Sequence, residues 1–153
     1  MSYRIEDEPQ PGRLAQAAVN PVWPLLAVMF GGAALSWPWF ALNGFAVGSP
    51  HRRRELAWAA GGFAGNVAIV VGIVFLANAG ILAGLGVRYA LVGLTVWKLA
   101  VSYWLYTMQS RSFGLYRHYG GPVRNGALVI FAAFFLRPRL LAALPSFWIA
   151  VLG

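Results

Sequence analysis

Three stretches of this sequence are longer than the about 20 residues that a helix needs to cross a bilayer, and they carry almost no charge. They extend over about 22–47, 56–82 and 88–108. Soluble domains average about 25% charged residues, whereas this 153-residue chain has 10% and a mean hydropathy of +0.64. So few charges cannot keep a protein surface in water. The sequence therefore predicts an all-α polytopic transmembrane helix bundle and excludes an ordinary soluble enzyme.

A fourth apolar stretch is interrupted by charge. It runs from 126–136 and extends into 140–153, with Arg137, Pro138 and Arg139 between the two halves. A single span through both halves would place two arginines near the bilayer centre, at about 2.5–3.5 kcal/mol each on insertion scales. We therefore expect about four spans, the last one short and followed by an interfacial or partly inserted helix. A re-entrant hairpin formed by the two halves is the alternative.

The organisation along the chain is a polar N-terminal tail, residues 1–20, followed by a single transmembrane domain, residues 21–153. The tail carries three acidic residues and no apolar core, so it is not expected to be a signal peptide. With four spans, the loops after the first and third spans lie on one side, and both are rich in arginine. The positive-inside rule assigns that side to the cytoplasm, so both termini are expected outside the bacterial inner membrane.

The basic residues give the chain a net charge of +8. They stand in short clusters between apolar stretches, which is typical of topology signals rather than of a nucleic-acid surface. Anionic lipid headgroups are the partner they fit, at about 1 kcal/mol for each residue near the surface. The basic loop residues are Arg52, Arg53, Arg54, Arg111, Arg117 and Arg124.

Lys98 lies near the middle of the third span, with Thr95 about one turn before it and Ser102 about one turn after it. Residues at this spacing share a helix face. Ionisable residues inside a membrane are candidates for functional sites. One interpretation is structural, with Lys98 bonded to helix carbonyls or to Asn66 on a neighbouring helix. The other is a proton, ion or anion site.

Small residues in the spans predict close helix packing. Gly31 and Gly32 form a pair in the first span, and Gly61 and Gly65 form a GxxxG motif in the second. Amides inside the spans are expected to join helices rather than to line a pathway: Asn43, Asn66 and Asn78.

No catalytic constellation is present in the sequence. It has no cysteine and no HExxH, GxSxG or Walker motif. Glu55, the one acidic residue outside the tail, follows three arginines and is interpreted as their surface neighbour. His51 and His118 have no further ligand at metal-binding spacing. We therefore expect no enzymatic activity, no catalytic residues, no cofactor and no metal.

Several of these features resemble a loose group of small four-helix bacterial inner-membrane proteins that have no assigned function. The resemblance lies in Gly31-Gly32, Asn43, the loop that begins Gly48-Ser49-Pro50, and the later Tyr106, Gln109 and Gly120-Gly121. It covers about residues 21–136 and implies a four-helix fold without implying an activity. The interruption at Arg137-Pro138-Arg139 departs from the long last helix of that group.

The sequence thus favours a small non-enzymatic membrane protein that packs against, anchors or regulates a membrane partner, or that self-assembles. A small transporter or channel that uses Lys98 and nearby polar residues is the alternative. A transport role predicts that Lys98, Asn66 and Ser102 converge on one cavity, whereas a packing role predicts separate contacts. An immunity protein against a membrane-active toxin would also fit the size.

Overall fold

The computed structural model describes residues 9, 10 and 12–153, so the acidic residues of the tail, at positions 6–8, lie outside the described residues. The described part is helical. A short 3₁₀ helix precedes five α-helices, and no β-strand occurs within it. The elements are Ala15–Ala17 (3₁₀), α1 Val22–Val47, α2 Arg52–Asn78, α3 Leu85–His118, α4 Ala127–Ala142 and α5 Ser146–Leu152.

By length and composition, three of these helices, α1, α2 and α3, are candidate membrane spans, and they support a membrane protein. The prediction of four such spans is wrong. Helix α4 has 16 residues and is therefore about 24 Å long, against about 30 Å for the hydrocarbon core of a bilayer. Arg137, Pro138 and Arg139 lie inside α4 rather than between two apolar helices, and they limit its apolar part to the first ten or so residues.

Helix α1 is turned back on itself at Gly32, which has φ 72° and ψ −173°. The backbone nitrogen of Val19 donates to the Asn43 side chain at 2.9 Å, although the two are 24 residues apart. On a straight helix that separation would span about 36 Å. The Ser36 hydroxyl likewise reaches the carbonyl of Pro24, at 2.8 Å. Residues 22–31 and 33–47 are therefore the two arms of a helical hairpin.

Because α1 turns back, the N-terminal segment lies at the same end of the bundle as the arginine-rich loops. Gln10 donates its backbone N–H to Gly48 at 2.9 Å, and Arg124 donates its own to Ala18 at 2.8 Å. We call this end, which holds loops 48–51 and 119–126, the arginine end. The described residues of the N-terminal segment therefore lie beside these loops, whereas the orientation of the termini across the membrane stays a prediction.

The last two helices form a second hairpin. Helix α4 begins at the arginine end, where Gly126 packs against Trp23. Helix α5 then runs back into the bundle and buries Val151 against Val70 and Leu94. The apolar face of α5 thus lies against α1, α2 and α3, and the packing of the two halves as a hairpin agrees with the alternative drawn from the sequence.

The hydrophobic core lies between the second arm of α1, α2 and α3. Trp37, Phe40 and Leu105 are fully buried there, and Phe63 packs on Trp37 with ring centroids 4.7 Å apart. Gly62 lets α2 lie close to α3 in this core, since a Cβ at that position would lie 2.9 Å from the Val101 side chain.

The hairpin predicts a specific labelling pattern, which the absence of native cysteine makes easy to measure. Gln16→Cys and Val123→Cys are exposed positions at the arginine end, and Ala83→Cys lies in the loop at the opposite end. A membrane-impermeant maleimide should label the first two from one side of the membrane and the third from the other. Labelling of Gln16→Cys together with Ala83→Cys would show that α1 crosses the membrane.

Candidate functional site

Lys98 caps the C-terminal end of α5. The side chain is 7% exposed, and its Nζ donates to the carbonyls of Ala150 at 2.7 Å and Gly153 at 3.0 Å. The last carbonyls of a helix have no partner within the helix and carry partial negative charge. A cation at this position is therefore stabilised by the oxygens at the end of α5.

Asn66 binds the same end of α5. It lies at the middle of α2, is fully buried, and donates to the carbonyl of Val151 at 2.9 Å. Its Oδ1 atom is buried without a hydrogen-bond partner among the described residues. Lys98 therefore bonds to helix carbonyls, one of the two contacts named in its structural interpretation, and it meets Asn66 through α5 rather than directly.

Arg137 caps the end of the first arm of α1, as Lys98 caps the end of α5. Its Nη1 donates to the carbonyl of Met29 at 3.3 Å, and Met29 belongs to the last turn before the break at Gly32. This contact explains how an arginine is accommodated among apolar helices that supply no acid. Its Nε atom is buried and has no partner in the described part of the chain. Arg139, two residues on, is exposed.

The turn of α1 and the end of α5 touch at Gly32. A Cβ on Gly32 would overlap the carbonyl oxygen of Leu152 and would lie 2.8 Å from that of Gly153. The carbonyls of α5 therefore approach the point where the second arm of α1 begins. The N–H groups of a helix start carry partial positive charge. The end of α5 and the start of the second arm of α1 therefore carry complementary partial charges.

A cavity of about 390 Å³ adjoins this meeting point. It is lined by side chains from α1, α3, α4 and α5, among them both cations and one hydroxyl. The residues that matter for its chemistry are Lys98, Arg137, Thr95, Met29, Ala150 and Gly153.

The remaining predicted polar residues divide between two places. Thr95 lines the cavity and donates to Leu91 of its own helix at 3.1 Å. Ser102 instead accepts from Trp37 Nε1 at 2.9 Å and lies 3.5 Å from the Ser36 hydroxyl. Because Ser36 already donates to Pro24, Ser102 is the donor of that second bond. The structure thus brings Lys98, Thr95 and Asn66 to the end of α5 and leaves Ser102 in the packed core.

A second buried polar cluster, centred on Glu55, was missed by the sequence analysis. Glu55 is fully buried, so its interpretation as a surface neighbour of the arginines is wrong. It accepts from the Ser49 hydroxyl at 2.5 Å and from Gln109 Nε2 at 2.7 Å. Successive helix residues are rotated by about 100°, so the residue after three exposed arginines faces the core.

Gln109 and Asn43 extend this cluster across the bundle. Gln109 also donates to the carbonyl of Phe40 at 2.6 Å and accepts from Asn43 Nδ2 at 3.1 Å. Asn43 in turn accepts from Val19. The expectation that Asn43 joins helices is therefore confirmed by its contacts with α3 and the N-terminal segment.

The glycine residues do not all play the role predicted for them. Gly65 packs against the Trp97 ring, with 2.5 Å from a Cβ position to Cζ2, whereas Gly61 faces open space. The GxxxG pair is therefore not one packing face within this chain, because only Gly65 meets a neighbouring helix. The atoms nearest to a Cβ position on Gly31 belong to Leu35 in the second arm of α1, and Gly32 forms the turn.

The basic loop residues lie on the outer surface of the arginine end. Arg52, Arg53 and Arg54 are exposed, and the Arg52 guanidinium lies 5.7 Å from the Phe45 ring centroid. Arg111, Arg117 and Arg124 are exposed as well.

Gly44 provides a direct test of the Glu55 cluster. A Cβ at Gly44 would overlap a carboxylate oxygen of Glu55, so Gly44→Ala is expected to destabilise the protein by about 1–3 kcal/mol. Gly61→Ala is the matched control, because the added methyl group meets nothing. Thermal unfolding in detergent should separate the two variants, and equal stability would contradict the close approach.

Comparison with protein-family models gives no match, and neither does comparison with curated protein sequences or with solved structures. The fold and the site therefore define the class of protein by themselves. It is a helical membrane protein in which the end of α5 meets the interruption of α1 at Gly32 inside the bundle.

Proposed function

We propose that the chain is a small membrane transport protein, a channel or transporter, whose solute site lies where α5 ends against the turn of α1. The observation that supports this proposal is that the end of α5 meets the interruption of α1 at Gly32, beside Lys98. Interrupted helices near the middle of the membrane are typical of transporter binding sites, because their free ends bind ions. Irregular backbone at that depth is tolerated where protein buries it or where it lines a water-filled cavity.

The polar residues beside the cavity give the transport proposal partial support. Lys98 and Thr95 line one cavity, and Asn66 binds the helix that forms its wall. Asn66 and Ser102 do not line the cavity, and these separate contacts are what the packing role predicts.

The proposed orientation has the arginine end facing the cytoplasm, in a bacterial inner membrane. Once α1 turns back, Arg13 of the N-terminal segment joins the two arginine-rich loops at this end, whereas Arg88 lies near the opposite loop. The positive-inside asymmetry is therefore stronger than the sequence alone suggests. The described N-terminal segment is then cytoplasmic, where anionic headgroups can bind the arginines.

A second candidate function is anchoring or regulating a membrane partner, or self-assembly. It is favoured by the outward face of α2, where small exposed residues recur at helical spacing. These residues are Ala57, Gly61, Ala64 and Ala68. Such a face lets a second helix approach closely without any solute pathway.

Water access beside Lys98 tests the transport proposal. Thr95→Cys lines the cavity, whereas Val96→Cys, the next residue, is 58% exposed on the outer surface and does not line it. A small charged methanethiosulfonate reagent reacts with thiols that water reaches. We expect it to modify Thr95→Cys in membrane vesicles and to leave Val96→Cys unmodified.

Permeability measurements complete the test. Proteoliposomes should be assayed by light scattering with a panel of small salts and neutral solutes, against liposomes without protein. Modification of Thr95→Cys should reduce the permeability to at least one solute. If neither cysteine reacts and no solute permeates, transport is overturned and the packing role takes its place.

A further inference from the structure

We infer that the cavity beside Lys98 and Arg137 binds a small oxyanion group of the phosphate type, an inference that rests on the proposed transport function and names its substrate class. The evidence lies in the charge of the cavity, in its unused hydrogen-bond donors and in its shape. The cavity has a volume of about 390 Å³, whereas one water molecule occupies about 30 Å³ of the liquid, so a small polyatomic ion fits with part of its hydration shell.

The charged side chains that line the cavity are both positive. Lys98 and Arg137 both line it, and no acidic side chain does among the described residues. Glu55 is engaged by Gln109, which is about three helical turns, or about 16 Å, from Lys98 along α3. A cation in the cavity would be repelled by both side chains, whereas an anion would offset the cost of holding two positive charges among apolar helices.

The two cations also have donors to spare. An ammonium group has three N–H donors, and Lys98 uses two of them on α5. A guanidinium has five, and Arg137 uses one on Met29 while its buried Nε has no acceptor. A buried donor without an acceptor is costly. An oxyanion supplies several acceptor oxygens in the fork geometry that arginine binds best.

The cavity is open on one side to the outer surface of the bundle. Three of its apolar lining residues are strongly exposed, at 64% for Met29, 43% for Leu91 and 42% for Leu99. A free oxyanion and the phosphate group of an anionic lipid carry the same chemistry, and both can reach Arg137 from there. The experiment therefore has one arm for each source.

The test measures the unfolding temperature of the purified protein. In the first arm, inorganic phosphate is titrated into lipid-free detergent solution at constant ionic strength. In the second, nanodiscs of phosphatidylcholine are compared with nanodiscs that also contain phosphatidylglycerol. Arg137→Gln is the test variant, and Arg139→Gln is the matched control because that arginine is exposed and does not line the cavity.

We expect saturable stabilisation of the unmodified protein and of Arg139→Gln, with apparent affinity weakened about tenfold or more in Arg137→Gln. Stabilisation by phosphate in detergent identifies a free oxyanion, and stabilisation by phosphatidylglycerol alone identifies a lipid headgroup. If Arg137→Gln does not fold, Arg137→Lys, which keeps the charge but loses the fork, should bind with reduced affinity.

The inference is overturned if neither anion stabilises the protein, or if Arg137→Gln responds like Arg139→Gln. Its failure is distinguishable from failure of the transport proposal. A reactive Thr95→Cys without anion binding leaves a transport protein for another solute. Anion binding with an unreactive Thr95→Cys and no permeation leaves an anion site in a protein that does not transport.

Discussion

Replacing Gly32 with alanine is expected to leave little or no folded protein in the membrane. Its φ of 72° and ψ of −173° lie in a region that only glycine adopts freely, and another residue there costs about 1–3 kcal/mol. The added methyl group would also overlap the carbonyl of Leu152, and overpacking of this kind costs a further 1–3 kcal/mol or so. Both costs fall on the point where α1 turns and α5 ends.

The matched control for Gly32→Ala is Gly72→Ala. Gly72 lies within regular α2 with no neighbouring atom near its Cβ position, and alanine is favoured over glycine there by about 0.8–1.0 kcal/mol. The amount of folded protein after extraction should fall sharply for Gly32→Ala and stay unchanged or rise for Gly72→Ala. A straight spanning α1 predicts the opposite for Gly32→Ala, because alanine stabilises a continuous helix.

The membrane class and the approximate positions of the helices could be predicted because hydropathy and length are local properties of a sequence. The turn of α1 could not. A glycine pair in an apolar segment is as typical of close helix packing as of a break. What decides between the two is the end of α5, which approaches Gly32 from the far end of the chain.

The roles of the intramembrane cations depended on the same long-range contacts. Lys98 was recognised as a candidate from its depth alone, and bonding to helix carbonyls was one of its two interpretations. Which carbonyls it caps depends on the inserted α5. In the sequence, Arg137 is only an obstacle to a fourth span. Nothing near it in the sequence indicates that the first arm of α1 ends beside it with a free carbonyl.

The Glu55 cluster, by contrast, left a signal in the sequence. The buried residues of α2 are Glu55, Ala59, Gly62, Asn66 and Val70. Their spacing of three and four places them on one helix face. This periodicity, followed from Asn66 toward the start of α2, places Glu55 on the buried face instead of beside the exposed arginines.

Removing the Glu55 side chain is the second change with a large expected effect. In Glu55→Ala, the Ser49 hydroxyl and the Gln109 amide lose their buried acceptor, and each unsatisfied group costs about 1–3 kcal/mol. The unfolding temperature should therefore fall by about 2–4 °C for every kcal/mol lost. Arg54→Ala is the matched control, since this exposed neighbour should change stability by about 0.5 kcal/mol or less.

Two further variants separate the hydrogen bonds of Glu55 from its volume. Glu55→Gln keeps an oxygen for Gln109 and can donate its amide to the Ser49 hydroxyl, so it should recover most of the stability that Glu55→Ala loses. The effects of Gln109→Ala and Glu55→Ala on the free energy of unfolding should not simply add, because the two side chains are in contact. We expect a coupling energy of about 0.5–3 kcal/mol. If Glu55→Ala is as stable as Arg54→Ala, the carboxylate is not part of the core. The second arm of α1 would then be held by its hydrogen bonds to α3 and by apolar packing, without a contribution from Glu55.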